Sequence, residues 1–301
     1  MALHKNPAAI SAASAGTALL LSLVGTGPAA AVPESAAPTR STAASPCADG
    51  ARFDPARFTN PTRIDNRFLP LVPGTRFVFE GTSSVTGEPL DHRVVFTVTD
   101  LTKVIAGVRT RVVLDQDLSE GALTEQELAF FAQDKDGNVW SLGEYPEEFE
   151  DGEFLGAPNT WIPGVDGARA GVVMLAQPRV GTPEYLQGFS PTIDFLDCAR
   201  VFQTGQRVCV PVACYRDVLV TEERSPLEPD SGKQRKFYAP GVGNIQITAV
   251  DDPEGETLAL TKVGPVNDKE LKKVRKQALK LEKRAYRISA VYGHTPPMTQ
   301  G

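Results

Sequence analysis

The sequence predicts a mainly β protein: an antiparallel meander forming a barrel or half-barrel, with a C-terminal amphipathic basic α-helix. Three observations carry this prediction. Apolar and polar residues alternate through most of residues 75–263, which marks strands with one buried face. Short turns containing Gly and Asp separate the alternating runs. Beyond residue 268 the apolar residues recur in steps of three and four, the helical period.

In chain order, the first element is a secretory signal. His4 and Lys5 make a basic start, Ala18-Leu19-Leu20-Leu21-Ser22-Leu23-Val24 an apolar centre, and Ala29-Ala30-Ala31 a small-residue cleavage site. Cleavage is expected after Ala31, giving a secreted or extracytoplasmic chain. The apolar centre is shorter than the roughly 20 residues a spanning helix needs, and no later segment is apolar enough to span a membrane. Residues 32–46 are Ala, Ser, Pro and Thr with almost no large apolar groups, the composition of a disordered linker. Residues 47–265 form the β-rich domain. Its first part, 47–74, is an irregular arm rich in Pro and Arg that carries Phe53, Phe58 and Phe68.

Strands then follow one another. Phe77 and Phe79 alternate with their neighbours, as do Val94, Phe96 and Val98, and Leu128 and Phe130. Further strands are expected near 108–114, 138–143, 199–210, 215–222, 234–239, 243–250 and 257–263. Turns fall at Thr86-Gly87, Ala106-Gly107, Asp136-Gly137 and Asp230-Ser231-Gly232. Residues 156–195 read as a long loop with one or two short strands. Residues 266–301 are a basic helix and tail. Leu271, Val274, Ala278, Leu281, Ala285, Ile288 and Tyr292 share a stripe, Asp268 is the expected N-cap and Gly293 the expected stop. The segment holds nine bases against three acids.

Removing residues 1–31, with one lysine and no acid, leaves a net charge of −7, which argues against a nucleic-acid partner. Four cysteines in an exported chain favour two disulfides, with three possible connectivities. Cys209 and Cys214 flank Val210-Pro211-Val212-Ala213, a turn between strands, so Cys209–Cys214 is favoured. Cys47–Cys198 would then tie the arm to the body. The spacings fit no zinc knuckle, and neither a metal nor a cofactor is expected.

Several segments resemble a family of uncharacterised exported bacterial proteins. They are Leu69-Pro70-Leu71-Val72-Pro73-Gly74-Thr75, Thr97-Val98-Thr99-Asp100 with Lys103-Val104-Ile105-Ala106-Gly107-Val108, Gln133 to Trp140, Gly164-Val165-Asp166-Gly167-Ala168, and Tyr238-Ala239-Pro240-Gly241-Val242-Gly243. Together they span roughly residues 60–263. The resemblance implies export and a β-rich body, and brings no catalytic residues. After Val210-Pro211 the family pattern has a Gly and an aromatic, where this chain has Ala213-Cys214-Tyr215. That departure makes the Cys209–Cys214 bridge a local addition.

No coherent catalytic set emerges. Asp134-Lys135-Asp136-Gly137-Asn138 has its Gly too early for a calcium loop and fits a hairpin turn. Gly188-Phe189-Ser190-Pro191-Thr192 lacks the second Gly of a nucleophile elbow. After cleavage only His92 and His294 remain, too few for a His-based metal site or triad. The acidic run Glu144, Glu147, Glu148, Glu150, Asp151 and Glu153 reads as a solvated loop, a cation site, or a docking patch for the basic helix.

The leading expectation is a monomeric, non-catalytic, extracytoplasmic binding protein. Inward side chains, including Phe77, Phe79, Val94, Phe96, Leu128 and Phe130, would line a core or hold a small apolar ligand. A first alternative is an envelope interaction protein that uses Lys272, Lys273, Arg275, Lys276, Lys280, Lys283 and Arg284 against an anionic surface. A second is a hydrolase, provided that Glu147, Glu150 and Asp166 share a cleft.

Overall fold

The computed structural model describes residues 47, 52–84, 87–253 and 255–301. The expected signal peptide, 1–31, and linker, 32–46, lie outside the described residues. In chain order the strands are β1 (Thr75–Ser84), β2 (Pro89–Ile105), β3 (Val108–Ser119), β4 (Ala122–Gln133), β5 (Val139–Glu150), β6 (Glu153–Gly156) and β7 (Arg169–Met174). They continue as β8 (Tyr185–Ser190), β9 (Phe195–Val210), β10 (Ala213–Arg224), β11 (Lys233–Ala239), β12 (Gly243–Val250), β13 (Thr257–Pro265) and the short β14 (Thr299–Gln300). Twelve of them close into an antiparallel barrel in sequence order, β13 returning to pair with β1. β6 pairs with β5 and β14 with β2, both outside this ring. Tight hairpins set the register. Ala106-Gly107 and Glu120-Gly121 hold both residues at positive φ, the conformation whose twist matches the flanking strands. The loop expected over 156–195 contains two short ring strands, β7 and β8.

Two apolar layers share the sheet. Phe77, Phe79, Val94, Val98, Val113, Ala129 and Phe131 point inward and form the lumen core. Leu114, Leu128, Phe130, Trp140 and Leu142 point outward, where α1 (Asp268–Ile288) and α2 (Ala290–Gly293) cover them. α1 buries Val274, Ala278, Leu281 and Ala285, the expected stripe. Its N-cap is Asn267 rather than Asp268: the Asn267 side chain accepts from the Glu270 amide at 2.9 Å. The helix breaks at Ser289, which leaves Ile288 exposed and turns Tyr292 onto Tyr145 and Phe130, with ring centroids 5.2 and 6.2 Å away.

A buried cation pins this helix. The Lys103 ammonium, fully enclosed, pairs with Glu282 at 2.8 Å and donates to the Pro296 carbonyl at 2.7 Å. Glu282 also accepts from the Met298 amide. Arg275 pairs with Asp100, and Arg284 with Glu147. Among the described residues no helix is long and apolar enough to cross a membrane.

The arm plugs one end of the barrel. Ile64, Phe68 and Leu71 join the lumen core. Asn66 donates to the carbonyls of Gly137 and Leu175, while Gln133 accepts from the Asp65 and Asn66 amides. Phe53 and Phe58 instead pack on the outer face, against Trp140. Disulfides join Cys47 to Cys198 and Cys209 to Cys214. The second lies at the tip of the β9–β10 hairpin, where the two cysteines are register partners.

Candidate functional site

The lumen is not filled throughout. A cavity of about 70 Å³ remains beneath Leu69 and Leu71 of the arm. Its walls are aromatic: Phe77, Phe79, Phe96, Phe131, Trp161 and Phe195. Its polar wall holds Ser141, Glu144, Gln187, Glu223 and Lys236. That volume equals roughly two waters, below the ~150 Å³ that takes benzene.

The polar wall has a local backbone cause. At Gly143, with φ +110°, β5 leaves β7 and bonds instead to the loop after β6, so that Glu144 and Trp161 exchange backbone hydrogen bonds at 3.0 and 3.1 Å. A Cβ at Gly143 would sit 2.5 Å from the Trp161 carbonyl oxygen, so only Gly permits this approach. The Trp161 indole then donates to the Glu144 carboxylate at 3.1 Å inside the barrel. Lys236 pairs with Glu223 at 2.6 Å, and Thr221 and Gln187 also donate to Glu223. Burial alone would lower the Lys236 pKa, but Glu223, Asp197 and Glu256 outweigh it and raise it. Among the described residues no cation pairs with Glu144. The Ser141 hydroxyl, almost fully buried, has no hydrogen-bond partner.

Beyond this wall, along β3 and β4, the lumen is acidic. β3 and β4 carry the pairs Asp115–Glu127 and Asp117–Glu125 in direct register. They continue the inward positions of Val113 and Ala129. Burial, then the charge on Asp117, pushes the Asp115 carboxyl up to about 7. Glu125 and Glu127 are raised well above the usual carboxylate range, by burial first and then by Asp117 for Glu125 and Glu144 for Glu127. One Glu127 oxygen is buried without a hydrogen-bond partner. His92 lies between Asp117 at 3.5 Å and Glu256 at 3.2 Å. Burial would lower its pKa, but the two carboxylates push it up to about 10. Among the described residues no set of three His, Cys, Asp or Glu is placed to hold a metal ion.

Of the lining residues expected from sequence, Phe77, Phe79, Val94 and Phe96 face the lumen, Val94 in its core and the three phenylalanines on the cavity itself. Leu128 and Phe130 face the opposite way, under the helix. Both faces of β4 are apolar, and the helix claims the face with the larger pair. Glu147 is buried beneath Arg284, whereas Glu150 and Asp166 are exposed, so the three share no cleft. Within the acidic run, Glu144 faces the lumen and Glu147 docks the helix. Of the basic candidates, Arg275 and Arg284 are spent on Asp100 and Glu147, and Lys273 pairs with Glu270. Lys272, Lys276, Lys280 and Lys283 are exposed. The β3–β4 acids were missed, although a period-two signal existed: Asp115 and Asp117 lie two residues apart on β3, as do Glu125 and Glu127 on β4.

No family model and no curated protein matches the chain. Two solved structures are similar to it. One is an inferred exported protein with a YmcC-like fold from Bacteroides fragilis NCTC 9343, at 13% identity over 66% of this chain and 99% of that one, with a TM-score of 0.34. The other is an inferred lipoprotein from Parabacteroides distasonis ATCC 8503, at 11% identity over 66% and 100%, with a TM-score of 0.31. Likeness at this level carries no argument about the site, which rests on its own geometry.

Proposed function

We propose that this chain is an exported, non-catalytic binding protein whose barrel lumen is the ligand site, and that it belongs to the exported bacterial family its motifs resemble. The observation that carries the proposal is the unfilled cavity beside an unpartnered, buried Ser141 hydroxyl. Barrel interiors otherwise fill with side chains, and buried polar groups otherwise find partners. The N-terminal pattern supports export, as do cysteines paired in two disulfides, which persist in oxidising compartments. Two experiments test this. N-terminal sequencing of the secreted protein should begin at Val32. Native mass spectrometry of protein from the culture medium, with and without organic extraction, should show a small adduct that extraction removes. An intracellular, uncleaved chain would defeat the first part, and a chain that never carries or takes up a lumen ligand would defeat the second.

One observation favours a second role on the outer surface. Lys272, Lys276, Lys280 and Lys283 form an exposed face on α1, suited to an anionic envelope component. Changing all four to glutamine should abolish sedimentation with anionic vesicles while leaving the melting temperature within about 2 °C. Unchanged sedimentation would remove this role.

A further inference from the structure

We propose that the lumen site takes a small organic ammonium group, held by Glu144 against the aromatic wall. The proposal rests on the lumen being the ligand site. Three independent features point to this class. Aromatic faces beside a carboxylate are how proteins recognise ammonium ligands, because the ring faces carry negative potential. Here seven aromatic residues, Tyr238 among them, and Glu144 line one cavity. The charge balance is one-sided. Lys236 is already matched by Glu223 and His92 by Asp117 and Glu256, which leaves Glu144, Asp115 and Glu127 without a cation among the described residues. Finally, Ser141 offers a buried hydroxyl with nothing bound to it, on the same cavity wall as Glu144.

The geometry separates this ligand from a metal ion. A hard divalent cation needs several oxygens converging at 2.3–2.6 Å or less, and no three carboxylates or histidines among the described residues are so placed. The volume separates it from larger organic ligands. About 70 Å³ admits a methyl-bearing ammonium, not a ring system. Anions are disfavoured by Glu144 on the cavity wall and by the carboxyls of β3 and β4 in the same lumen.

The chain's two tryptophans make the test direct. The Trp161 indole N–H bonds Glu144 in the cavity, whereas that of Trp140 bonds Asp134 under the outer layer. In the full chain labelled with ¹⁵N, each gives one indole resonance. Titration with methylammonium and with dimethylammonium should move the Trp161 resonance to saturation and leave that of Trp140 in place. Glu144→Gln, which keeps an oxygen to accept from Trp161, should weaken this binding about tenfold or more. Ser141→Ala, which removes only the unpartnered hydroxyl, should weaken it a few-fold. If neutral ethanol saturates Trp161 as well as dimethylammonium does, and Glu144→Gln has no effect, the ammonium assignment is overturned while the lumen site stands. If calcium moves Trp161 and the ammonium ions do not, a metal site replaces it. If no probe moves Trp161, both the assignment and the lumen site fall.

Discussion

Asp115→Asn should stabilise the protein, by an amount that grows from about pH 4 and is complete above about pH 7. Asp115 is 3% exposed, faces Glu127 across the β3–β4 ladder, and has its carboxyl pushed up to about 7 from 3.8. The sign follows from linkage. Below about pH 4 the group is protonated in both folded and unfolded chains and costs nothing. Between about 4 and 7 it ionises only when unfolded, so stability falls as pH rises. Above about 7 the full cost is present, which for this displacement is about 4 kcal/mol. Relaxation of the surroundings lowers that figure, so we expect a gain of about 2–4 kcal/mol from the amide at pH 9. For a domain of this size that is about 5–15 °C in melting temperature. Asparagine keeps an oxygen for the Gln116 amide that Asp115 now accepts from, at 3.0 Å. The assay is the difference between variant and parent in thermal or urea unfolding, at pH 4 and pH 9. The charge on Asp115 also raises Glu125 and Glu127, so their relief adds to the gain at pH 9. A difference that stays the same at both pH values, or a loss of stability at pH 9, would refute the reasoning.

Three further outcomes are expected. Lys103→Met strips buried Glu282 of the one cation paired with it among the described residues and should cost about 3–5 kcal/mol in urea unfolding, with much of it recovered in Lys103→Met/Glu282→Gln; equal losses in both would show that packing, not charge, holds α1. Gly143→Ala should cost about 2–4 kcal/mol, because the methyl meets the Trp161 carbonyl and φ is +110°; a melting temperature within 1 °C of the parent would mean that β5 does not switch partners there. Removing Cys47–Cys198, with a sequence separation of 151, should cost about 5 kcal/mol on chain entropy, against about 2 kcal/mol for Cys209–Cys214, separated by 5. Calorimetry of the two double-serine variants checks this order.

The barrel was legible because strand alternation and Gly turns are local signals, and the helix because its stripe is. Assigning faces was harder, since on β4 the alternation has two apolar phases. Leu128 and Phe130 make one, Ala129 and Phe131 the other. Choosing the phase with the bulkier residues points Leu128 and Phe130 inward and turns Glu125 and Glu127 out to solvent, which hides the acidic lumen. The choice is settled only by an element some 140 residues later: α1 needs an apolar seat, and the outer face of β2–β5 is that seat. The Trp161–Glu144 contact was equally out of reach. It depends on a loop replacing β7 beside β5, and sequence marks it only by Gly143.

The acids of β3 and β4 lie where a barrel chosen for stability alone would place valine or leucine. Val113 and Ala129 begin an inward stripe that Asp115, Asp117, Glu127 and Glu125 continue. Each carboxylate buried without a cation costs stability through desolvation and mutual repulsion. Among the described residues this is offset by His92 and by Lys236. One Glu127 oxygen and the Ser141 hydroxyl are left without a hydrogen-bond partner. A structural role does not account for that pattern, because a structural polar network is favourable when every member is satisfied. The proposed cation site would account for it: a cation bound in the lumen would lower the cost at several carboxylates at once. The stability lost to these acids and the affinity gained by a cation are therefore two measures of one electrostatic deficit, and Asp115→Asn should raise the first while weakening the second.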